Sequence, residues 1–336
     1  MKYKEIIQEM IDEAKHDIKN IVLPESEDLR ILEAASVITK EKIAKITLIG
    51  NKKEIVKRCD ENSINISDVV IEDNKISNKR DIYANSLYEL RKHKGMTLEK
   101  AYELLNDNLY FATMMVKSGD VDGMVCGASH STADSLRPAL QIIKARDGLS
   151  TVSSFFIMET SNKNLGCDGK FIFADCGLVD FPTEDELVDI VKESYDSFRE
   201  LLKKDAKIAM LSYSTLGSAK HENITKIENV VKKVRNIDKD IKIDGELQLD
   251  AAVISEVAKL KAPNSEVAGN ANILIFPNLE SGNIGYKIAE RFGNMVALGP
   301  ITQGLNKPVN DLSRGCSVAD IIGVVAITCI QARKNI

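Results

Sequence analysis

The segment 299–315 (GPITQGLNKPVNDLSRG) is the part of the sequence that most clearly indicates chemistry. It has neither helical nor strand periodicity, and loops this long inside a compact domain are uncommon and usually functional. Near its end, Ser313 and Arg314 place a hydroxyl beside a guanidinium. A guanidinium is a planar, forked donor suited to phosphate and carboxylate groups. The segment therefore indicates a site that handles anionic substrates.

Asp320 follows this segment, at the start of an apolar helix predicted over 321–332. Ser317 lies three residues before it, and Ser-x-x-Asp ahead of an apolar run resembles a capping box, in which Asp320 would be structural. Asp320 could instead be a general base, provided that burial offsets the lowering of its pKa expected at a helix N-terminus. The spacing leaves both roles open.

A second loop, 127–138 (GASHSTADSLRP), runs from a predicted strand into a predicted helix. Its backbone N–H groups and the hydroxyls of Ser131 and Thr132 could bind a phosphate at the helix N-terminus, and Arg137 adds a guanidinium. The loop matches neither the Walker A nor the G-x-G-x-x-G pattern. An ordinary capped turn explains it equally well, and His130 is interpreted as structural rather than catalytic.

Two more loops follow predicted strands. In the loop 23–30, Arg30 either contacts a ligand at a helix start or lies on a solvated face. The loop 276–287 could line a pocket, with Arg291 beyond it, or could be a simple glycine turn. No Ser/His/Asp set can be assigned, since G-x-S-x-G is absent and Ser313 is therefore not a nucleophile-elbow serine.

The elements that must position these loops alternate between short apolar runs and helical stretches. This alternation predicts an α/β fold with mostly parallel sheets flanked by helices, in which ligands bind beyond the carboxyl ends of the strands. Two consecutive runs, 151–158 and 170–174, are joined by a turn, which predicts a local antiparallel pair. A second domain would begin near Leu149, as a chain of 336 residues permits.

Composition limits the class of function. The net charge of −5 argues against binding to nucleic acid or to an anionic membrane surface. The apolar run 321–330 is about half the roughly 20 residues that a membrane helix needs, and the N-terminus is charged and lacks a signal-peptide core. The 6 cysteines have no CxxC spacing and the 4 histidines are scattered, so we expect no metal site and a cytoplasmic location.

Three stretches together closely resemble the phosphate acetyltransferase family: DGMVCGASHSTADSLRPALQIIK, ANILIFPNLESGNIGYKIAERFG and the segment 299–315, with DGELQLDAA in support. The resemblance extends from about residue 23 to the C-terminus and suits the family's short form. It implies the reaction acetyl-CoA + phosphate ⇌ acetyl phosphate + CoA in a ternary complex, with direct attack of the CoA thiolate on the acetyl carbonyl.

The resemblance also implies an architecture like that of isocitrate and isopropylmalate dehydrogenases. Two α/β domains with a cleft between them would comprise residues 1–148 plus 300–336 and residues 149–299. The second domain would form a homodimer.

Residue roles follow from the resemblance, position by position. Asp320 would take the thiol proton, Ser313 would orient or stabilise the reacting group, and Arg314 would bind acetyl phosphate. The arginines that match family residues holding CoA or phosphate are Arg91, Arg137 and Arg30. Arg291 matches an active-site arginine of unassigned role. CoA and acetyl-CoA are substrates here, and the resemblance requires neither a metal nor a bound prosthetic group.

Three alternatives remain. Residues 177–182 depart from the Asn- and Pro-containing run of many family members, so the acyl chain could be longer, as in phosphate butyryltransferase. Such relatives lack the NDLSRG-type segment. The second alternative is a non-catalytic acetyl-CoA-sensing module, and the third is a decarboxylating dehydrogenase. The presence of Ser313, Arg314 and Asp320 favours an enzyme, and the carboxylates and dinucleotide site of a dehydrogenase are not evident.

Overall fold

The computed structural model describes residues 3–335, and these divide into two compact units. The first unit combines the described residues up to Arg146 with those from Leu305 onward, and the second is Asp147–Gly304. The division lies within a few residues of the boundaries that the resemblance implies. Each unit has a sheet flanked by helices, so the predicted α/β class is confirmed.

The first unit is built on a five-stranded parallel sheet in the order β11-β4-β1-β2-β3. Its strands are β1 (Asn20–Leu23), β2 (Lys45–Ile49), β3 (Val70–Glu72), β4 (Gly123–Cys126) and β11 (Val309–Asp311). Its helices are α1 (Glu5–Ala14), α2 (Leu29–Lys40), α3 (Lys52–Glu61), α4 (Arg80–Arg91), α5 (Leu98–Leu104), α6 (Asn108–Ser118), α7 (Thr132–Ile142) and α13 (Val318–Gln331). Helices on both faces bury the central strands, which explains why these strands read as continuous apolar runs rather than alternating ones.

Helix α13 lies in the core of the first unit. Every residue from Ile321 to Ile330 is buried, and the helix packs against α1 and α2. An all-round apolar helix is the expected solution where neighbours cover every face. None of the helices in residues 3–335 is both long and apolar enough to cross a membrane.

The second unit has a six-stranded mixed sheet in the order β10-β5-β6-β9-β7-β8. Its strands are β5 (Ser153–Glu159), β6 (Lys170–Ala174), β7 (Lys207–Leu211), β8 (Lys242–Leu247), β9 (Ile273–Ile275) and β10 (Val296–Gln303). Its helices are α8 (Glu184–Leu202), α9 (Glu222–Ile237), α10 (Leu249–Val253), α11 (Ser255–Lys261) and α12 (Leu279–Arg291). The predicted antiparallel pair is confirmed, because β5 pairs antiparallel with β6.

The segment 299–315 is not a single irregular loop, and that expectation was wrong. Residues 299–303 belong to strand β10 and residues 309–311 to strand β11. The pairing of β10 with β5 shifts in register between Leu298 and Ile301, which breaks the alternation that a sequence pattern needs. The three residues of β11 are all buried and likewise show no alternation. Residues 304–308 connect the two strands, and the part after Asp311 is an irregular strand-end loop leading to α13.

Candidate active site

Three neighbouring parallel strands of the first unit end at one edge of its sheet. Strands β1, β4 and β11 are adjacent, and each is followed by a loop that leads into a helix. We call the loops 24–30, 127–132 and 312–320 together the strand-end site. Contacts between the three loops hold it together. Ligands in open α/β sheets bind at this kind of edge.

Glu25 is the residue at the centre of this site, and sequence reasoning missed it. Its carboxylate is 1% exposed and accepts hydrogen bonds from the backbone N–H groups of Ala128 at 2.8 Å, Ser129 at 3.0 Å and His130 at 3.2 Å. The sequence left phosphate binding and an ordinary capped turn equally open for this loop, and in the structure these three amides are occupied by a carboxylate of the protein itself. The available signal was an acidic residue directly after an apolar strand.

His130 is tied to the same carboxylate. Its Nδ1 lies 2.6 Å from Glu25 Oε1, and since a carboxylate only accepts, Nδ1 carries the hydrogen. Burial alone lowers the pKa of His130, but the hydrogen bond and charge of Glu25, with smaller contributions from Glu27 and Asp107, raise it above its usual value. In the neutral ring the hydrogen is therefore on Nδ1, and the charge of Glu25 favours protonation of Nε2.

Arg30 links the three loops. Its Nε and Nη2 donate to Asp28 at 3.0 and 2.6 Å, and Nη2 also donates to the carbonyl of Ala128 at 2.9 Å. Its Nη1 donates to the carbonyls of Arg314 and Cys316, both at 2.9 Å. All five N–H groups of this guanidinium thus have protein partners. The structure gives Arg30 a positioning role, and substrate binding by Arg30 stays a prediction.

The hydroxyls of Ser131 and Thr132 also have partners within the protein. Ser131 is the N-cap of α7, and its hydroxyl donates to Asp134 at 2.7 Å. The hydroxyl of Thr132 donates to Asp311 Oδ2 at 2.6 Å. The capped-turn reading of this loop is therefore confirmed for Ser131, and phosphate binding by either hydroxyl stays a prediction.

Asp311 ends β11 beneath the second loop and was also missed by sequence reasoning. It is 1% exposed, and burial raises its pKa to about 6 in spite of the hydrogen bond from Thr132. A Cβ at position 127 would lie 2.0 Å from Asp311 Oδ1, so Gly127, with φ +101°, is required for this close approach.

Asp320 forms the capping box that the spacing suggested. Its Oδ2 accepts from the backbone N–H and the hydroxyl of Ser317, both at 2.8 Å, and its own N–H donates to that hydroxyl at 3.2 Å. The structural role is confirmed. Oδ1 has no hydrogen bond to any residue that the structure describes, so the same carboxylate keeps one oxygen for a second task.

Ser313 and Arg314 are both exposed at the turn between β11 and α13. The Ser313 hydroxyl accepts from the N–H of Gly315 at 3.3 Å. Within residues 3–335, the Arg314 guanidinium has neither a hydrogen bond nor an ion pair, whereas its backbone carbonyl is held by Arg30. The turn is fixed through its backbone, and the cation is left for a ligand.

Arg91 and Arg137 both act electrostatically on Tyr110 of α6. Burial raises the pKa of Tyr110, and the charges of Arg137 and Arg91 both act against that rise. The Arg137 side chain is 56% exposed, and its Nη2 forms an ion pair with Asp134 at 3.1 Å. Arg91 Nε is buried without a hydrogen-bond partner among the described residues. The two guanidinium groups keep donors for an anionic ligand.

Arg291 belongs to the second unit. It is the last residue of α12, its side chain is 76% exposed, and its Nε lies 3.5 Å from the carboxylate of Glu290. Its contribution to an active site stays a prediction.

The loop that departs from the family pattern is also in the second unit, and Asp175 holds it. The buried Asp175 carboxylate accepts from the N–H groups of Gly177 at 2.8 Å, Leu178 at 3.1 Å and Val179 at 3.1 Å. Burial raises the pKa of Asp175.

Comparisons with known proteins agree over nearly the whole chain. The family model described as phosphate acetyl/butaryl transferase matches residues 5–329. The phosphate acetyltransferase of Acetivibrio thermocellus is 53% identical over 327 residues, which cover 97% of this chain and 98% of that protein. The solved phosphotransacetylase of Streptococcus pyogenes is 41% identical with a TM-score of 0.93, covering 99% of this chain and 100% of that one.

A more distant likeness concerns the fold alone. The 4-hydroxythreonine-4-phosphate dehydrogenase of Klebsiella pneumoniae is 11% identical with a TM-score of 0.52, over 94% of this chain and 99% of that one. The dehydrogenase-like architecture expected from the sequence is therefore confirmed. From the full-length family match and the high identity to its relatives, the chain belongs to the phosphate acetyl/butaryl transferase family.

Proposed function

We propose that the strand-end site carries out the acetyl transfer for which the relatives of this chain are named: acetyl-CoA + phosphate ⇌ acetyl phosphate + CoA. The chain is accordingly an acyltransferase. The observation that supports this placement most strongly is Arg314. Its guanidinium is exposed and unpaired among the described residues, beside Ser313, while Arg30 fixes its backbone. A preorganised cation of this kind stabilises charge that develops in a transition state.

The chemical step is direct transfer to the CoA thiol. Asp320 Oδ1 accepts the thiol proton, the sulfur forms a bond to the acetyl carbon, and the bond from that carbon to the phosphate oxygen breaks. Phosphate leaves with the electron pair and is held by Arg314. A free thiol has a pKa of about 8.5 and is only slightly ionised at neutral pH, so a nearby base raises the reactive fraction. Ser313 donates its hydroxyl hydrogen to the oxygen of the acetyl group.

Arg91 and Arg137 bind the phosphates of CoA. Both have donors without a partner among the described residues, and both charges act on Tyr110. Forked guanidinium donors suit phosphate groups and Lys cannot reproduce their geometry. Lysine substitution at either position should raise the KM for CoA more than it lowers kcat, whereas Arg235→Lys, at a residue of the second unit that donates to the carbonyl of Ile243, is a control that should leave the KM for CoA unchanged.

No metal or prosthetic group takes part in this proposal, because guanidinium groups supply the positive charge and a carboxylate supplies the base. Dialysis against a chelator should therefore leave the rate unchanged. A chelator-sensitive rate restored by one divalent metal would contradict this point.

The protein acts in the cytoplasm as a homodimer formed through the second unit. Helix α12 and the residue that follows it carry an exposed apolar stripe at a spacing of four residues, with Ile284 58%, Ile288 53% and Phe292 84% exposed. A continuous apolar stripe on a helix surface is typical of a protein interface.

The test of the chemical step compares two capping carboxylates. Asp320→Asn should lower kcat by about 100-fold or more, the usual effect of removing a general base. Glu186→Gln alters the corresponding capping box of α8, far from the proposed chemistry in sequence, and should leave kcat near the wild-type value. Near-normal turnover by Asp320→Asn would leave Asp320 as a cap alone.

Acetyl- and butyryl-CoA should be compared with the same enzyme, since the family description covers both acyl groups. We expect a higher kcat/KM for acetyl-CoA, and a preference for butyryl-CoA would support the alternative substrate.

A further inference from the structure

The loop between β4 and α7 uses its backbone in an unexpected way. Three consecutive amides, of residues 128–130, point at the buried carboxylate of Glu25. A phosphate cannot occupy these donors while the carboxylate is present, because an internal anion already lies there. Any phosphate that binds at this edge must be recognised by other groups.

The imidazole of His130 is such a group. Its Nδ1 is held by Glu25 at 2.6 Å, its side chain is 39% exposed, and Nε2 makes no hydrogen bond with any part of the chain that the structure describes. A histidine whose Nδ1–H is bound to a buried carboxylate presents Nε2 as the titrating atom. This is the arrangement of the histidine–carboxylate pairs that transfer protons in hydrolases.

The charges that face the ring come from three places in the first unit. Glu25 and Glu27 lie on the loop before α2, Asp107 lies at the N-cap of α6, and Asp134 lies on α7. All four are acidic and favour the protonated ring. Arg30 ties this loop to the Ser313–Arg314 turn through the carbonyls of Ala128 and Arg314. His130 and the proposed phosphate-binding cation therefore belong to one connected structure.

We propose that His130 is a further catalytic residue, which exchanges a proton with the phosphate through Nε2, and that Glu25 is its positioning residue. The inference rests on the proposed function. In acetyl phosphate synthesis, Nε2 takes a proton from a phosphate hydroxyl while that oxygen bonds to the acetyl carbon and the thiolate leaves. In the reverse direction, the carbon–oxygen bond breaks, its electron pair goes to the phosphate oxygen, and Nε2–H returns the proton. Asp320 serves the thiol and His130 serves the phosphate.

The test measures steady-state kinetics of the full chain in both directions, with phosphate and CoA varied separately. His130→Gln should lower kcat by about 100-fold, within the usual range for a lost acid–base group, and raise the KM for phosphate without changing the KM for CoA. His16→Gln, at an exposed histidine after α1, is the matched control and should match the wild type. Equal kinetics of the His130→Gln and wild-type enzymes, or an effect on the KM for CoA alone, would overturn the proposal.

Glu25→Gln tests the positioning role through the pH profile. The amide keeps the shape but removes the charge, so the pKa of the ring falls and the limb of the profile due to His130 moves to lower pH. In acetyl phosphate synthesis this limb rises with pH, because the free base is needed, and in the reverse direction it falls. A profile that keeps the wild-type limb in this variant would contradict the positioning role. Since Glu25→Gln could impair folding, His130→Gln, at a partly exposed residue, decides the proposal independently.

Failure of the two proposals can be distinguished. If the wild-type enzyme does not transfer acetyl groups between CoA and phosphate, the proposed function itself is wrong. If the wild type transfers acetyl groups and the His130→Gln enzyme has the same kcat and KM values, only the inference about His130 is wrong.

Discussion

Asp311 shows how burial at one residue affects the stability of the whole first unit. The folded protein holds a proton on this carboxyl group up to a pH of about 6, whereas the ordinary value is 3.8. Between these values the folded state binds a proton that the unfolded state has released, so stability falls as the pH rises through this window. Above it, the buried carboxylate is a net cost.

Asp311→Asn should therefore stabilise the protein at neutral pH. The amide oxygen can still accept the hydrogen bond from Thr132, and a shift of about two pKa units corresponds to about 3 kcal/mol. Urea unfolding should show a gain of that order at pH 7.5 and little difference at pH 3.5, where the carboxyl is largely neutral in both the folded and the unfolded states. An equal loss of stability at both pH values would refute this account.

Arg30→Lys tests the positioning role of the forked side chain. A lysine cannot reach Asp28 and the carbonyls of Ala128, Arg314 and Cys316 together, so the turn that carries Ser313 and Arg314 loses its anchor. We expect kcat/KM to fall about 10-fold for both substrates, as misplacement of catalytic groups predicts. An effect on the KM for phosphate alone would indicate that Arg30 binds substrate directly.

The residues that sequence reasoning missed share a physical cause. The bond from Ala128 to Glu25 joins residues 103 positions apart, and that from Thr132 to Asp311 joins residues 179 positions apart. Neither pairing leaves a local pattern, because the partners meet only once β1, β4 and β11 are side by side. Asp320 was interpretable because its partner, Ser317, is three residues away.

At the scale of the elements, a substitution at the N-terminus of α13 can distinguish the capping role of Asp320 from its proposed role as a base. Ser317→Ala removes the hydroxyl that caps the helix and bonds to Asp320 Oδ2, but it leaves Oδ1 in place. We expect a loss of about 1 kcal/mol in the free energy of unfolding, as is usual for an N-cap. The kcat should fall far less than in Asp320→Asn. Equal losses of kcat in the two variants would indicate that the cap, and not the base, determines activity.

Strand β10 shows why element boundaries were harder to predict than element types. Its shift in register hid the alternation of buried and exposed residues, so its second half was interpreted as loop. The antiparallel β5–β6 pair was predicted correctly because a polar turn with glycines separates two apolar runs. The order of strands in either sheet had no signal in the sequence.

At the scale of the whole molecule, the exposed stripe on α12 predicts the oligomeric state. Phe292→Asp places a charge in an apolar interface and should convert the dimer to a monomer in light scattering at micromolar concentration. Ile76→Asp changes a similarly exposed apolar residue of the first unit, 82% exposed, and should leave the dimer intact. A wild-type monomer, or a dimer that persists in Phe292→Asp, would contradict the proposed interface.

The buried carboxylates of Glu25 and Asp175 affect where inorganic anions can bind to this protein. Glu25 and Asp175 each satisfy three consecutive backbone amides of a loop that follows a strand. Such amide clusters commonly attract sulfate or chloride from the buffer. Here they are already occupied, with or without substrate. Inhibition by sulfate should therefore be competitive with phosphate, act through the guanidinium of Arg314 and the imidazole of His130, and weaken in Arg314→Gln while the loops keep their shape.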